Sequence, residues 1–202
     1  MRDGGNLIWR QDAEFDVAEG NFTEATRCLQ DAWKQNPLAS TVNALLCWTQ
    51  YLSGDCDSAM STAAQARASG ECMTLNAAVE AFAAIQAGPI DSILPRLERV
   101  AGDEPRSLLL QGALGYAQAT ANQAGKAWET FYNLKRSQGD CSYPLALILI
   151  GLDEQEQAIL CLETSFAEGS LWSLGFRFDP FLRPLHERDR YEPLLRKLRF
   201  PS

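Results

Sequence analysis

Histidine is almost missing: His186 is the only one in 202 residues. One imidazole cannot build the histidine-based sets that hold zinc or non-haem iron. The six cysteines (Cys28, Cys47, Cys56, Cys72, Cys141 and Cys161) contain no Cys-x-x-Cys pair to take over that task. No metal and no other cofactor is therefore expected. No apolar run reaches the roughly eighteen residues of a membrane span. The opening stretch MRDGGNLIWRQDAEFD lacks the apolar core of a secretory signal. The expectation is a cytoplasmic protein whose cysteines stay reduced and free. The sequence also lacks G-x-x-x-x-G-K-[ST], G-x-G-x-x-G and G-x-S-x-G, so neither a phosphate loop nor a nucleophile elbow can be placed. His186 sits in HERDR and reads as a solvated side chain rather than a general base. Pairs such as Asp103-Glu104 and Asp153-Glu154 read as charges favoring helix starts. The chain is expected not to be an enzyme.

Positive charge is also short. Eighteen Lys and Arg face 26 Asp and Glu, a net charge of -8, which repels nucleic acid and anionic membrane alike. The deficit is uneven: residues 171–202 hold seven basic and four acidic residues, so that segment is positive and the rest more negative. A basic terminal cap docked on an acidic body accounts for this more simply than a nucleic-acid arm.

What is present is a repeat. GNFTEATRCLQDAWKQNP starts at Gly20, GDCDSAMSTAAQARASGE at Gly54 and GPIDSILPRLERVAGDEP at Gly88, each 34 residues after the last, and Asn122 continues the period. A fifth unit fits at Asp153, 31 residues on. Five residues after each start stand Ala25, Ala59, Ile93, Ala127 and Ala158; nine after, Leu29, Ala63, Leu97, Phe131 and Leu162; twelve after, Ala32, Ala66, Val100, Leu134 and Ser165. Steps of four and three place these on one face of a helix. Pro37 and Pro105 end two of those helices. The starting Gly or Asn suits a left-handed turn. A second helical stretch precedes each turn, as in TVNALLCWTQYLS and SLLLQGALGYAQAT. Each unit is thus a helical hairpin, which buries its apolar face only by stacking on neighbors.

Gly20-Ala25-Leu29-Ala32-Pro37 and Gly88-Ile93-Leu97-Val100-Pro105 resemble the tetratricopeptide repeat, over about residues 6 to 168. The resemblance implies an all-α right-handed superhelix in one domain, residues 1–202. Its repeats are roughly 6–38, 39–72, 73–106, 107–140 and 141–169, with a capping tail over 170–202. Trp9 and Leu114-Gly115 fall on family positions, whereas Asp12 and Glu80 stand where the family places a packing leucine. The tail, with Asp179-Pro180 as N-cap and first helical residue, is similar to the closing segment of bacterial arrays. Phe181, Leu185, Tyr191, Leu194, Leu195 and Leu198 suit a cover for the last repeat.

The family binds peptides or helices in a groove lined by first helices. At its ligand-facing positions this sequence has Arg10, Glu14, Trp48, Tyr51, Phe82, Ile85 and Tyr116. Trp48, Phe82 and Tyr116 recur at the repeat period, which suits an apolar peptide or amphipathic helix. The same stripe reads equally as core, or as a face taken by the tail's own Trp172, Phe176, Phe178 and Phe181. The implied function is a non-enzymatic adaptor, scaffold or chaperone-like module binding a protein or peptide partner. Alternatives are the effector half of a bacterial regulator with a separate output domain, and a thiol-based redox protein. Cys72 and Cys141 fall in inter-repeat turns, with no evident activating cation. The sequence leaves the oligomeric state open.

Overall fold

The computed structural model describes residues 4–36, 39–68, 73–138 and 141–197. Pro37, Glu71, Cys72, Gly139, Leu198 and Arg199 lie outside them, as do the side chains of Trp9 and Arg10. Among the described residues every regular element is helical. In chain order these are α1 (Gly4–Glu19), α2 (Phe22–Gln35), α3 (Ser40–Leu52), α4 (Cys56–Ala68), α5 (Met73–Ala87), α6 (Ile90–Asp103), α7 (Leu108–Thr120), α8 (Ala124–Gln138), α9 (Tyr143–Gly151), α10 (Gln155–Ala167) and α11 (Tyr191–Lys197). Two short 3₁₀ segments, Leu171–Gly175 and Pro180–Leu185, precede α11. No helix among the described residues is long and apolar enough to cross a membrane. The sequence reads as one array, and the chain forms two compact units, Met1–Gln86 and Ala87–Ser202.

Four of the five starts read from the sequence period share one turn, and Gly88 departs from it. At Gly20, Gly54, Asn122 and Asp153 the backbone is left-handed, with φ of 82°, 86°, 59° and 63°. Each closes the preceding helix by the same pair of bonds: at Gly54, its N–H donates to Tyr51 O and the next N–H, of Asp55, to Gln50 O, both at 3.0 Å. This is the Schellman arrangement, which satisfies two orphan carbonyls at a helix end. Gly169 (φ 70°) ends α10 in the same way. The residue following each of these four turns is the last before the next helix, and the pairs α1–α2, α3–α4, α7–α8 and α9–α10 pack as hairpins. On the other side of a unit, α6 stops at Asp103 and Glu104 leaves the helical region (φ -124°, ψ 63°) before Pro105, since proline disfavors helical backbone in the residue before it.

The seam read from offsets five, nine and twelve is the buried face of the second helices. Ala25, Ala59, Ala127 and Ala158 are fully buried, and Leu29, Ala63, Leu97, Phe131 and Leu162 line the same stripe. In α6 the stripe runs through Leu94, Leu97 and Ala101 instead, and Ile93 and Val100 are half-buried. Isoleucine at offset five replaces the alanine of the other units there, and the neighboring Leu94 is the residue buried.

Helices α3 and α9 are buried almost throughout. In α3 everything from Val42 to Leu52 is buried, and in α9 everything from Tyr143 to Ile150. A nine-residue helix reading YPLALILIG has no polar face to offer solvent. Glycine makes its packing against α7 possible. A Cβ on Gly112 would stand 2.8 Å from Pro144 Cβ, and one on Gly115 2.6 Å from the Ile148 side chain. Polar groups lock α7 to its flanking helices: Gln111 Nε2 donates to Ala101 O at 2.9 Å, and Thr130 Oγ1 to Gln118 Oε1 at 2.8 Å.

The tail covers the end of the second unit. Asp179 caps the 3₁₀ segment through Phe181 N–H (3.0 Å) and also accepts a short bond from the Tyr143 hydroxyl. The Tyr191 hydroxyl donates to Phe176 O. Phe176, Phe181, Leu182, Leu185, Tyr191 and Leu194 are buried. Arg190 pairs with Glu163 (3.0 Å) and Glu156 (3.6 Å), so the basic tail meets the acidic face of α10.

Candidate functional site

The seven positions singled out from the sequence separate into four groups. Trp48, Tyr51 and Phe82 are 2%, 0% and 0% exposed. They pack on one another within the first unit, with ring centroids 5.2 Å (Trp48–Tyr51), 6.0 Å (Trp48–Phe82) and 5.8 Å (Tyr51–Phe82) apart. This corrects the open aromatic groove to the packed alternative: large rings at one face of adjacent first helices close on each other and expel water. Glu14 and Ile85 are half-buried. Arg10 lies in α1, with its side chain outside the description. Asp12, which the family pattern would bury, is exposed, and Ala13 and Val17 face inward instead.

Tyr116, in the second unit, meets the chain's own tail. Its ring stands edge-on to Phe181 at 4.6 Å, and desolvation raises its pKa. Beside it in the same unit, Tyr143 stacks on Trp172 (6.2 Å) and Phe176 (5.9 Å). Trp172, Phe176 and Phe181 of the tail thus pack on the first-helix residues Tyr116 and Tyr143. Tyr143 is driven well above its usual pKa by burial and the Asp179 charge, so it stays a hydroxyl donor. Phe178, the fourth tail aromatic considered, is half-buried.

His186 stacks on Tyr191 at 5.4 Å, and burial together with Arg183 lowers its pKa, so the ring is neutral near pH 7. Burial raises the pKa of Cys28 and Cys56 and pushes Cys47 up to about 12. Cys47 Sγ sits 3.7 Å from Asn76 Oδ1, as a packed thiol donor. These three are thiols, not thiolates, at neutral pH.

An aromatic surface does exist, on a second helix. The inner face of α8 carries Ala127, Phe131 and Leu134; the outer face carries Trp128 and, one turn on, Tyr132. Tyr132 is 57% exposed. Its ring stacks on Trp128 at 5.8 Å and 27°, and Phe131 meets both edge-on. The underside of the pair is thereby anchored in the core, and one ring face stays open. Tyr132 borders an open depression of about 710 Å³, with Glu129, Asn133, Lys135 and Arg136 around it. Lys135 and Arg136 close the last turn of α8, where positive charge complements the helix end. Sequence reading overlooked this face because it looked for ligands on the first helices. The signal was available in the i, i+4 spacing of Trp128 and Tyr132 opposite the buried seam.

Comparison with protein-family models, with curated proteins and with solved structures finds no match to this chain.

Proposed function

We propose that the chain is a non-enzymatic interaction module whose hairpins stack in a right-handed, tetratricopeptide-like superhelix closed by the tail. Its partner is a protein segment with an aromatic or aliphatic anchor beside a carboxylate. The anchor packs on the open face of Tyr132 and Trp128, and the carboxylate pairs with Lys135 and Arg136. One observation carries this reading: Tyr132, exposed over 57% of its surface, is held in a fixed stack beside two cations. A pre-ordered ring loses little conformational entropy on binding, and Tyr, Trp and Arg are the side chains on which interfaces concentrate their energy. The carboxylate follows from charge: α8 has Lys126, Lys135 and Arg136 against Glu129 alone, inside a chain of net charge -8. The same net charge argues against nucleic acid or anionic lipid as partner. The likeness of the tail to bacterial arrays extends the proposal to a bacterial cytoplasm.

Selection from a displayed random-peptide library tests it. Enriched peptides should combine a large apolar residue with Asp or Glu. Their affinity should fall at least about tenfold, roughly 1.4 kcal/mol, for both Tyr132→Ser and Arg136→Glu. Peptides that bind both variants as well as the parent chain would place the binding surface elsewhere.

A further inference from the structure

We propose that Cys141 and Cys161 form a two-electron thiol–disulfide site that exchanges with small disulfides. The reading is independent of the one above. The two cysteines stand twenty positions apart, and their sulfurs are 2.9 Å from each other, with Cys161 donating. That is closer than ordinary packing of two thiols and one short movement from a bond of about 2.05 Å. Neither is in a disulfide in this structure.

The pair is asymmetric in the way an exchange site requires. Cys141 is half-exposed and lies immediately before Ser142, the N-cap of α9. Cys161 is only 3% exposed, on the inward side of α10. Burial and its neighbor hold the Cys161 thiol protonated, against opposing pulls from the Ser142 backbone and the Lys135 charge. Cys141 is the sulfur that a small disulfide in solvent can reach. Cys141 is therefore the attacking sulfur and Cys161 the resolving one.

The reaction balances as follows. The Cys141 thiol loses its proton to solvent, and the thiolate attacks one sulfur of a low-molecular-weight disulfide RSSR. The R–S bond partner leaves as a thiolate, which takes up a proton as RSH, and Cys141 becomes a mixed disulfide. The Cys161 sulfur then attacks the Cys141 sulfur. The second RS⁻ departs with the Cys161 proton as RSH. In sum, two protein thiols are oxidized to one disulfide, and RSSR is reduced to two RSH. The new bond would tie the entry of α9 to α10, across the hairpin those helices form.

The test uses the full chain in buffers of oxidized and reduced glutathione, followed by acid quench, denaturation and alkylation. Six alkylatable cysteines should fall to four as the oxidized form is raised, with two hydrogens lost from the intact mass. Peptide mapping should find Cys141 joined to Cys161, and dithiothreitol should restore both. In Cys161→Ser, Cys141 should instead accumulate as a mixed disulfide with glutathione. The proposal fails if the mapped bond joins other cysteines, or if six thiols persist in buffers that oxidize ordinary dithiols. It fails equally if Cys161→Ser leaves Cys141 unmodified. The wild-type mapping decides the matter even if a variant folds poorly.

Discussion

Gly54 holds φ at 86° with no atom within 4 Å of where a Cβ would stand. The constraint there is conformational, not steric crowding. A β-branched side chain resists a left-handed backbone, so Gly54→Val should cost about 1–3 kcal/mol in urea unfolding. An unchanged midpoint would mean that the turn does not need this conformation. Gly112 poses the opposite case: its backbone is ordinary, but a Cβ would come within 2.9 Å of the Pro144 backbone. Gly112→Ala should therefore destabilize by about 1–3 kcal/mol through overpacking of α7 on α9. A melting temperature equal to wild type would show that the two helices can part freely. The first of these was legible in the sequence, because a period of 34 residues marks the turn residue directly. The second was not. Only the packed helix pair shows Pro144 filling that space.

At the scale of elements, the second helices were the readable part. Four and three residue steps put one face inward, and Ala25, Leu29 and Ala32 are all buried in α2. In α6 the seam turned toward Leu94 and Ala101, yet Leu97 remained at its center at 4% exposure. Leu97→Ala should cost about 2–5 kcal/mol, read by chemical denaturation; a loss below about half a kcal/mol would put Leu97 at the surface. The tail was half legible. Asp179 as N-cap and Pro180 after it follow from local rules. The bond from Tyr143, 36 residues earlier, follows from tertiary packing alone. Tyr143→Phe keeps the ring and removes the donor to a buried carboxylate. It should lower stability by about 1–3 kcal/mol, and a neutral result would show that solvent reaches Asp179.

At the scale of the whole molecule, each unit contains a first helix buried almost throughout, α3 in the first and α9 in the second, with its second helix packed against it. An aromatic stripe at repeat spacing therefore reports the core: Trp48, Tyr51 and Phe82 meet each other in the first unit, and Tyr116 meets Phe181 in the second. Periodicity identifies which residues are equivalent in successive units, but not whether their shared face is covered. The stacked pair on α8, half-buried Trp128 and exposed Tyr132, lies in one helix and breaks the repeat, so recurring positions do not mark it. The Cys141–Cys161 pair escaped for a similar reason, since its members belong to different helical contexts and meet only through the α9–α10 hairpin.

The central claim is that inner aromatics hold the fold and the outer pair on α8 is free to serve a partner. Chemical denaturation of Phe82→Ser beside Tyr132→Ser tests it most directly. Phe82→Ser should lose about 3–5 kcal/mol, a large part of a typical total near 5–15. Tyr132→Ser should stay within about 0.5 kcal/mol of wild type. A Phe82→Ser chain as stable as the parent, or a Tyr132→Ser chain that unfolds, would contradict the account.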